Sequence, residues 1–501
     1  MIARLASTVR APGRERWILP YTAALAAGLG LVGLAAAASW VDWRWILLAL
    51  SAATMLLPCG ILILRGRLDG FEPLALFAIL FLILWVLRPA YDLGHQHFIY
   101  AERLISPVFT RMLVAGLLAG AGFAIGYLVP AGGSLAARIP RPSRPEPRRL
   151  LIWAAVVFAV ALIAFALFFI HSHGWRHPAS FFFRGRARLF QLSASPAATS
   201  KYFLASILLV VPAALFFLAV RQSAGKETRM GRIAGSAAIA SVVAFCVYNL
   251  AAGQRRYLIE MLGALALYYY LRRGRRPPTL SVVAVAVVAL TVLSAIRDLR
   301  LSHARHDSPN PVQWLPWNAA SHAFETQDTG VAPSLALEML VVPSELHYTY
   351  GGTTLVGTFR TLIPRQLWPD KPLPADQQVL TAVFAGRPCT LGAQCDTFSP
   401  FGEPYRDGGL VAVFVFAVLF GIFWRAAWLY FSRHRDTTVA IVGYATLLPF
   451  MITWMRGNFT LPALQVAMAL AVVALAAVLC RAPTNRAAPS GGGREAAGAR
   501  G

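Results

Sequence analysis

Long apolar runs set the terms for this chain. Stretches of roughly 17 to 25 residues, each long enough to cross the hydrocarbon core of a bilayer as a helix, recur about twelve times. They lie near Trp17–Ala38, Trp45–Leu64, Pro73–Val86, Val108–Val129, Leu150–Ile170, Tyr202–Val220, Ile233–Ala252, Tyr257–Leu271, Leu280–Ile296, Leu410–Phe431, Val439–Met455 and Leu461–Cys480, the third and eighth being short. Backbone groups in lipid must be satisfied within the segment, so each run is read as an α-helix. The expected fold is all-α: a polytopic integral membrane protein with about twelve transmembrane helices and one large periplasmic loop. Composition agrees, since 57% of the 501 residues are hydrophobic, 14% are charged, and the mean hydropathy is +0.58.

The spacing of the runs divides the chain into an N-terminal bundle of about nine helices over 1–296, a large loop over 297–408, about three helices over 409–481, and a tail over 482–501. The tail, with GGG and scattered Arg, reads as disordered. A net charge of +24 raises nucleic acid as a partner, but most of the basic residues fall in short alternate loops, where membrane topology explains them and no nucleic acid is expected. Arg65 and Arg67, the Arg138–Arg149 linker, Arg221–Arg232, Arg272–Arg276 and Arg433 with Arg435 then face the cytoplasm, as do both termini. The first run follows Arg4, Arg10, Arg14 and Arg16 without a small-residue cleavage pattern, so it reads as an uncleaved helix. On this count 171–201 and 297–408 lie outside, in the periplasm of a Gram-negative cell, and the protein belongs to the inner membrane. The linker alternates Pro with Arg and reads as extended, close to anionic head groups.

Several reaction classes lose their usual warrant. Walker A, HExxH and GxSxG sequences and paired-cysteine zinc sites are absent, and the first outer loop, Ser39–Arg44, carries only Asp42 and no acidic pair. Cys389 and Cys395, in CTLGAQC, face an oxidising compartment and read as a disulfide, since they lack His neighbours at ligand spacing. Cys59, Cys246 and Cys480 read as small core residues.

The polar stretch Gly351–Gly409 stands apart, because crossing a membrane does not require it. Within and around it, IPRQLWPDKP at Ile363–Pro372, FGEPYRDGG at Phe401–Gly409, PSELHYTYGG at Pro343–Gly352 and GQRR at Gly253–Arg256 resemble the Wzy-type O-antigen polymerases of bacterial polysaccharide assembly. The likeness covers the many-helix plan and roughly Gly253–Gly421; the first half matches only in being apolar. It implies a metal-independent membrane glycosyltransferase without cofactor that polymerises undecaprenyl-diphosphate-linked repeat units into O-antigen or exopolysaccharide at the periplasmic face. Its implied partners are the lipid-linked glycan, membrane lipid and a chain-length regulator protein. The chemistry fits: a diphosphate leaving group needs fixed cations, and Arg is a permanently charged bidentate donor. Two alternatives stay open, an O-antigen ligase using the same donor and a lipid-linked sugar flippase or transporter that makes no bond. The long Pro-rich outer loop favours the enzymes.

Arg255 and Arg256 are read as substrate-binding residues in a tight outer turn at head-group depth, against the plainer reading of an interfacial anchor. Arg360 and Arg365 flank Pro364 at the end of a short re-entrant or interfacial helix, and the resemblance makes them catalytic rather than a solvated loop face. Trp368, Pro369 and Pro372 read as a stiff turn beside Asp370 and the substrate-binding candidate Lys371. Glu403 is either the base that deprotonates an acceptor hydroxyl or the counter-charge of Arg406; Tyr405 and Arg406 are further binding candidates. His347 is the rival base, preferred over His303, His306 and His322 because Glu345 is close enough in sequence to set its tautomer. Glu260, four residues after Arg256 in the next span, is expected to pair with it. No residue is read as a metal ligand.

Overall fold

The structure is a computed structural model that describes residues 42–66, 68–173, 176, 196–251, 255–278, 329–363, 367–368, 370–372, 378–379, 382–383 and 399–482, without the side chains of 196–201, 250, 251, 255 and 362. The expected runs Trp17–Ala38 and Leu280–Ile296, the pair Cys389 and Cys395, and the candidate Arg365 lie outside the described residues.

The elements are α1 (Trp43–Leu64), α2 (Pro73–Phe81), a π-helical stretch (Leu82–Leu87), α3 (Arg88–Gly94), the hairpin β1 (Ile99–Tyr100) and β2 (Arg103–Leu104), α4 (Ser106–Leu128), α5 (Ala131–Arg138), α6 (Pro147–His171), α7 (Pro196–Ala224), α8 (Arg229–Ala251), α9 (Arg255–Arg273), α10 (Val331–Val341), α11 (Leu355–Leu362), α12 (Gly402–Arg433), α13 (Thr438–Leu447), α14 (Phe450–Met455) and α15 (Thr460–Leu479). Among the described residues, nine helical stretches are long and apolar enough to cross a membrane, so the chain is an all-α multi-pass membrane protein.

One span is longer than its apolar run. The third run stops at Val86, whereas the helical stretch continues to Gly94 through the π segment and α3. Pro89 has no N–H to return to the preceding turn, and the wider i→i+5 turn sits just before it. The charges that made the sequence look finished neutralise one another. Arg88 Nε lies 3.0 Å from Asp92 Oδ2, and both side chains are buried.

Helices after residue 402 pack among those before 280: α12 on α4, α13 on α9, and α15 on α6 and α7. The α4–α12 crossing is close because glycine permits it. A Cβ at Gly126 would lie 2.0 Å from the Val418 carbonyl oxygen, and one at Gly421 would lie 2.3 Å from that of Phe123. Aromatic rings fill the space beside this seam, with Phe77 stacked on Phe123 at 3.5 Å and Phe420 edge-on to Trp424.

The connections sort to two ends of the bundle. At the linker end, Arg141 pairs with Asp436 at 2.8 Å and Arg276 with Asp69 at 3.4 Å. The linker is pinned to the chain leaving α15: Ser143 Oγ donates to Ala477 O (2.6 Å), Glu146 N to Cys480 O (2.8 Å) and Ala482 N to Arg144 O (3.2 Å). At the opposite, loop end lie the β1–β2 hairpin, the turns between α10 and α11, and the starts of α4, α9, α12 and α15. Here α10, part of the segment 297–408, is apolar, buried and packed on α4.

Candidate functional site

At the loop end, α12 begins with a separate short helix that carries EPYRD. It breaks at Gly408 and Gly409, then resumes as the membrane-crossing part. Gly409 has φ +65°, and a Cβ there would also approach the Tyr348 hydroxyl to 3.0 Å. Glu403 and Asp407 stand one turn apart on the same face, both buried.

Each of these carboxylates caps a different helix. Glu403 Oε2 accepts from the Thr460 amide (3.0 Å) and hydroxyl (2.6 Å) at the start of α15. Asp407 Oδ1 accepts from the Thr349 hydroxyl (2.7 Å) and the Thr353 amide (2.8 Å), and Oδ2 accepts from the Thr354 amide (2.9 Å), just before α11. The Thr353 hydroxyl sits 2.5 Å from Asp407 Oδ1 and 2.8 Å from the Glu403 carbonyl, with one proton to give to either. Negative charge at the positive end of a helix dipole, together with orphan N–H groups satisfied, fixes both helix starts. They are drawn together: a Cβ on Gly357 of α11 would lie 3.8 Å from Thr460 Oγ1. Backbone bonds from Thr349 N to Arg406 O (3.0 Å) and Tyr350 N to Asp407 O (2.9 Å) complete the join.

Around this frame the arginines collect. Arg406 donates to Gln378 Oε1 at 2.6 Å and feels the charges of Glu338 and Asp407. Glu338, buried on α10, occupies the space a Cβ on Gly402 would need. Tyr405 is buried against Tyr348, and its hydroxyl accepts from Arg111 Nη1 at 3.4 Å. Arg256, on the first turn of α9, pairs with Glu260 at 3.2 Å as the spacing predicts, donates to Thr453 Oγ1 at 3.1 Å and reaches Gln465 Oε1 on α15. Arg255 opens α9. Arg360 lies over the Trp368 ring at 5.8 Å, and its buried Nε has no hydrogen-bond partner among the described residues. Gln465 Nε2 and Thr354 Oγ1 are likewise buried without a partner there.

The structure thus joins Glu403 and Arg256 to α15 through Thr460 and Gln465, with Arg360 on the neighbouring α11, while Tyr405 and Arg406 turn instead to Arg111 and Gln378. Lys371 sits at the edge, donating from Nζ to the Ile363 carbonyl (3.1 Å) where α11 ends. The pairing read for His347 requires correction. His347 and Glu345 are both exposed, and no hydrogen bond or ion pair between them is present among the described residues. In water such a pair gains too little to hold two side chains in one geometry. Glu403, read as a base or as the counter-charge of Arg406, has a third role as a cap.

Sequence reasoning missed Thr460, Gln465, Thr353, Arg111 and Glu338. A signal for Thr460 was present, since Thr-Leu-Pro immediately before an apolar run marks a helix start. The others carry no local signature. An apolar cleft of about 310 Å³ runs along α9 beside the α13–α14 kink, from Ile259 and Ile452 past Gly263 and Pro449 to Phe71 and Pro277 toward the linker end. Its lining residues Ile259 and Ile452 directly precede Glu260 and Thr453. Among the described residues, no group of three His, Cys, Asp or Glu side chains is placed to hold a metal ion.

Compared with family models, curated proteins and solved structures, the chain finds no match.

Proposed function

We propose that this chain is a polysaccharide polymerase that moves a glycan from one polyprenyl diphosphate onto the terminal sugar of another, at the periplasmic face of a bacterial inner membrane. The observation that carries the reading is that Arg256, Arg360 and Arg406 all lie at the end opposite the arginine-rich linker, and that the buried Arg360 Nε has no hydrogen-bond partner among the described residues. Topology gives no reason for cations there. A diphosphate does, because it presents several acceptor oxygens to a rigid guanidinium fork.

In the reaction the acceptor hydroxyl oxygen attacks the anomeric carbon, the bond from that carbon to the phosphate oxygen breaks, and its electron pair leaves with the diphosphate. The hydroxyl proton passes to a base or to the departing diphosphate. Glu403 Oε2 is committed to Thr460, so the reading assigns the larger part of the rate to arginine stabilisation of the charge developing on the leaving group. The apolar cleft along α9 offers room for part of a polyprenyl chain.

The test is reconstitution of the purified protein with lipid-linked repeat units and separation of the products by size. A ladder of longer glycans is expected, falling about 10²-fold in rate in Arg360→Ala. Transfer only to a lipid A core acceptor, or movement of the lipid across the membrane without a new glycosidic bond, would refute the polymerase reading.

A further inference from the structure

α11 exposes an apolar stripe that nothing in the described structure covers. Leu355 and Phe359 are 67% and 69% exposed, and Val356 and Ile363 on the same face are exposed too. These positions follow i, i+1, i+4 and i+8, one side of a helix. The other side is occupied: Gly357 faces Thr460, and Arg360 is half-buried. Thr358 and Thr361 return their hydroxyls to the Thr354 and Gly357 carbonyls, so neither competes for an outside partner. A loop bathed in water does not carry such a stripe without a reason.

What covers it follows from its neighbours. Thr354, the residue before α11, donates its amide to Asp407 Oδ2, and the outward stripe of α12 begins four residues after Asp407 with Val411, 74% exposed, continuing through Val415 and Leu419. That second stripe lies on a membrane-crossing stretch and is exposed, and the Thr354–Asp407 bond ties the start of α11 to the chain just before it. Aromatic side chains flank α11, with Tyr350 before it and Trp368 after it, both exposed, and Trp368 lies against the Arg360 guanidinium. Aromatic rings with a polar atom settle at the boundary between head groups and acyl chains.

We propose that α11 lies flat in the bilayer interface, its Leu355, Val356, Phe359 and Ile363 stripe seated among the acyl chains of the outer leaflet. It is an interfacial helix. This seating holds Arg360 at the depth of lipid phosphates and leaves the arginine cluster open sideways to the membrane, so that a lipid head group reaches it without leaving the bilayer. The proposal concerns membrane depth and stands whether or not glycan transfer is found.

The experiment places an environment-sensitive fluorescent amino acid at Phe359, and separately at Glu345 as an exposed comparison, in the full chain reconstituted in nanodiscs of zwitterionic lipid. The probe at Phe359 should emit at shorter wavelength and be quenched at least threefold more strongly than the Glu345 probe by lipids brominated near the head of the acyl chain. Aqueous iodide should quench the Glu345 probe and spare the other. If iodide dims both alike, the stripe faces water and the proposal fails. If neither quencher reaches Phe359, another part of the chain or a partner protein covers it, and the proposal fails equally.

Discussion

Removing the Asp407 carboxylate should loosen one turn and leave the membrane spans intact. In Asp407→Asn the retained Oδ1 still accepts from the Thr349 hydroxyl and the Thr353 amide, while the new amide nitrogen faces the Thr354 N–H, donor against donor. Loss of a single hydrogen bond to a charged acceptor costs about 1.5–3 kcal/mol, which sets the expected penalty near 2 kcal/mol. Asp407→Ala removes every acceptor on this carboxylate and should cost about 3–5 kcal/mol, less than the sum of its bonds because water reaches some of the freed donors. The damage falls on the Thr353 and Thr354 amides, so hydrogen exchange followed by mass spectrometry over 349–362 reads it directly. With about 1.4 kcal/mol per tenfold, the Asn variant should exchange there roughly thirtyfold faster than wild type, and the Ala variant faster again. Peptides from 410–433 should keep their protection. Exchange at 353–362 within twofold of wild type in Asp407→Ala would refute the capping account, and faster exchange along 410–433 would mean that the carboxylate supports the whole bundle instead.

Arg360→Lys keeps the charge and loses the planar fork, so polymer formation should drop nearly as far as in Arg360→Ala, about 10²-fold; a Lys variant within threefold of wild type would remove the bidentate role. Gly126→Val drives a Cβ into the Val418 carbonyl and should cost about 2–4 kcal/mol, seen as a lower unfolding temperature in detergent, with an unchanged midpoint counting against the close crossing. Reporter fusions at Ser143, Gly225 and Gly274 should read as cytoplasmic and fusions at Glu102 and Glu345 as periplasmic; a cytoplasmic signal at Glu345 would put the arginine cluster on the wrong side. His434, at the linker end, has its pKa pushed down by burial and by Arg141 and Arg433, so its contribution to stability is present above the ordinary histidine range and is lost as pH falls through the lowered value. Arg141→Gln should raise that pKa, and an NMR titration finding it unmoved would remove the arginine from the explanation.

The helices were legible because lipid leaves the backbone one local solution, and every apolar run on described residues forms a helix. The Arg256–Glu260 pair was legible for the same reason, since helical spacing puts those side chains together. The caps were not. Glu403 meets Thr460 57 residues away, and Asp407 meets Thr354 53 residues away, each joining segments that read separately as loop and helix start. No periodicity encodes such a pairing; it exists only once α11, α12 and α15 are packed. The end of the third span was misjudged for a related reason, because Arg88 and Asp92 look like a boundary until the fold turns them toward each other. The linker's Pro and Arg content indicated extended chain but carried no trace of its attachment beside α15.

α15 has hold of both ends of the bundle. Its first residue takes Glu403, its sixth takes Arg256, and the chain just beyond it takes the linker. Until those 20 residues are inserted, the polypeptide is already threaded through the membrane while Glu403 and Arg256 still lack these partners. A chain broken off before Thr460 is therefore threaded through the membrane without the partners of Glu403 and Arg256, and the insertion of α15 is the step that ties the loop end to the linker end.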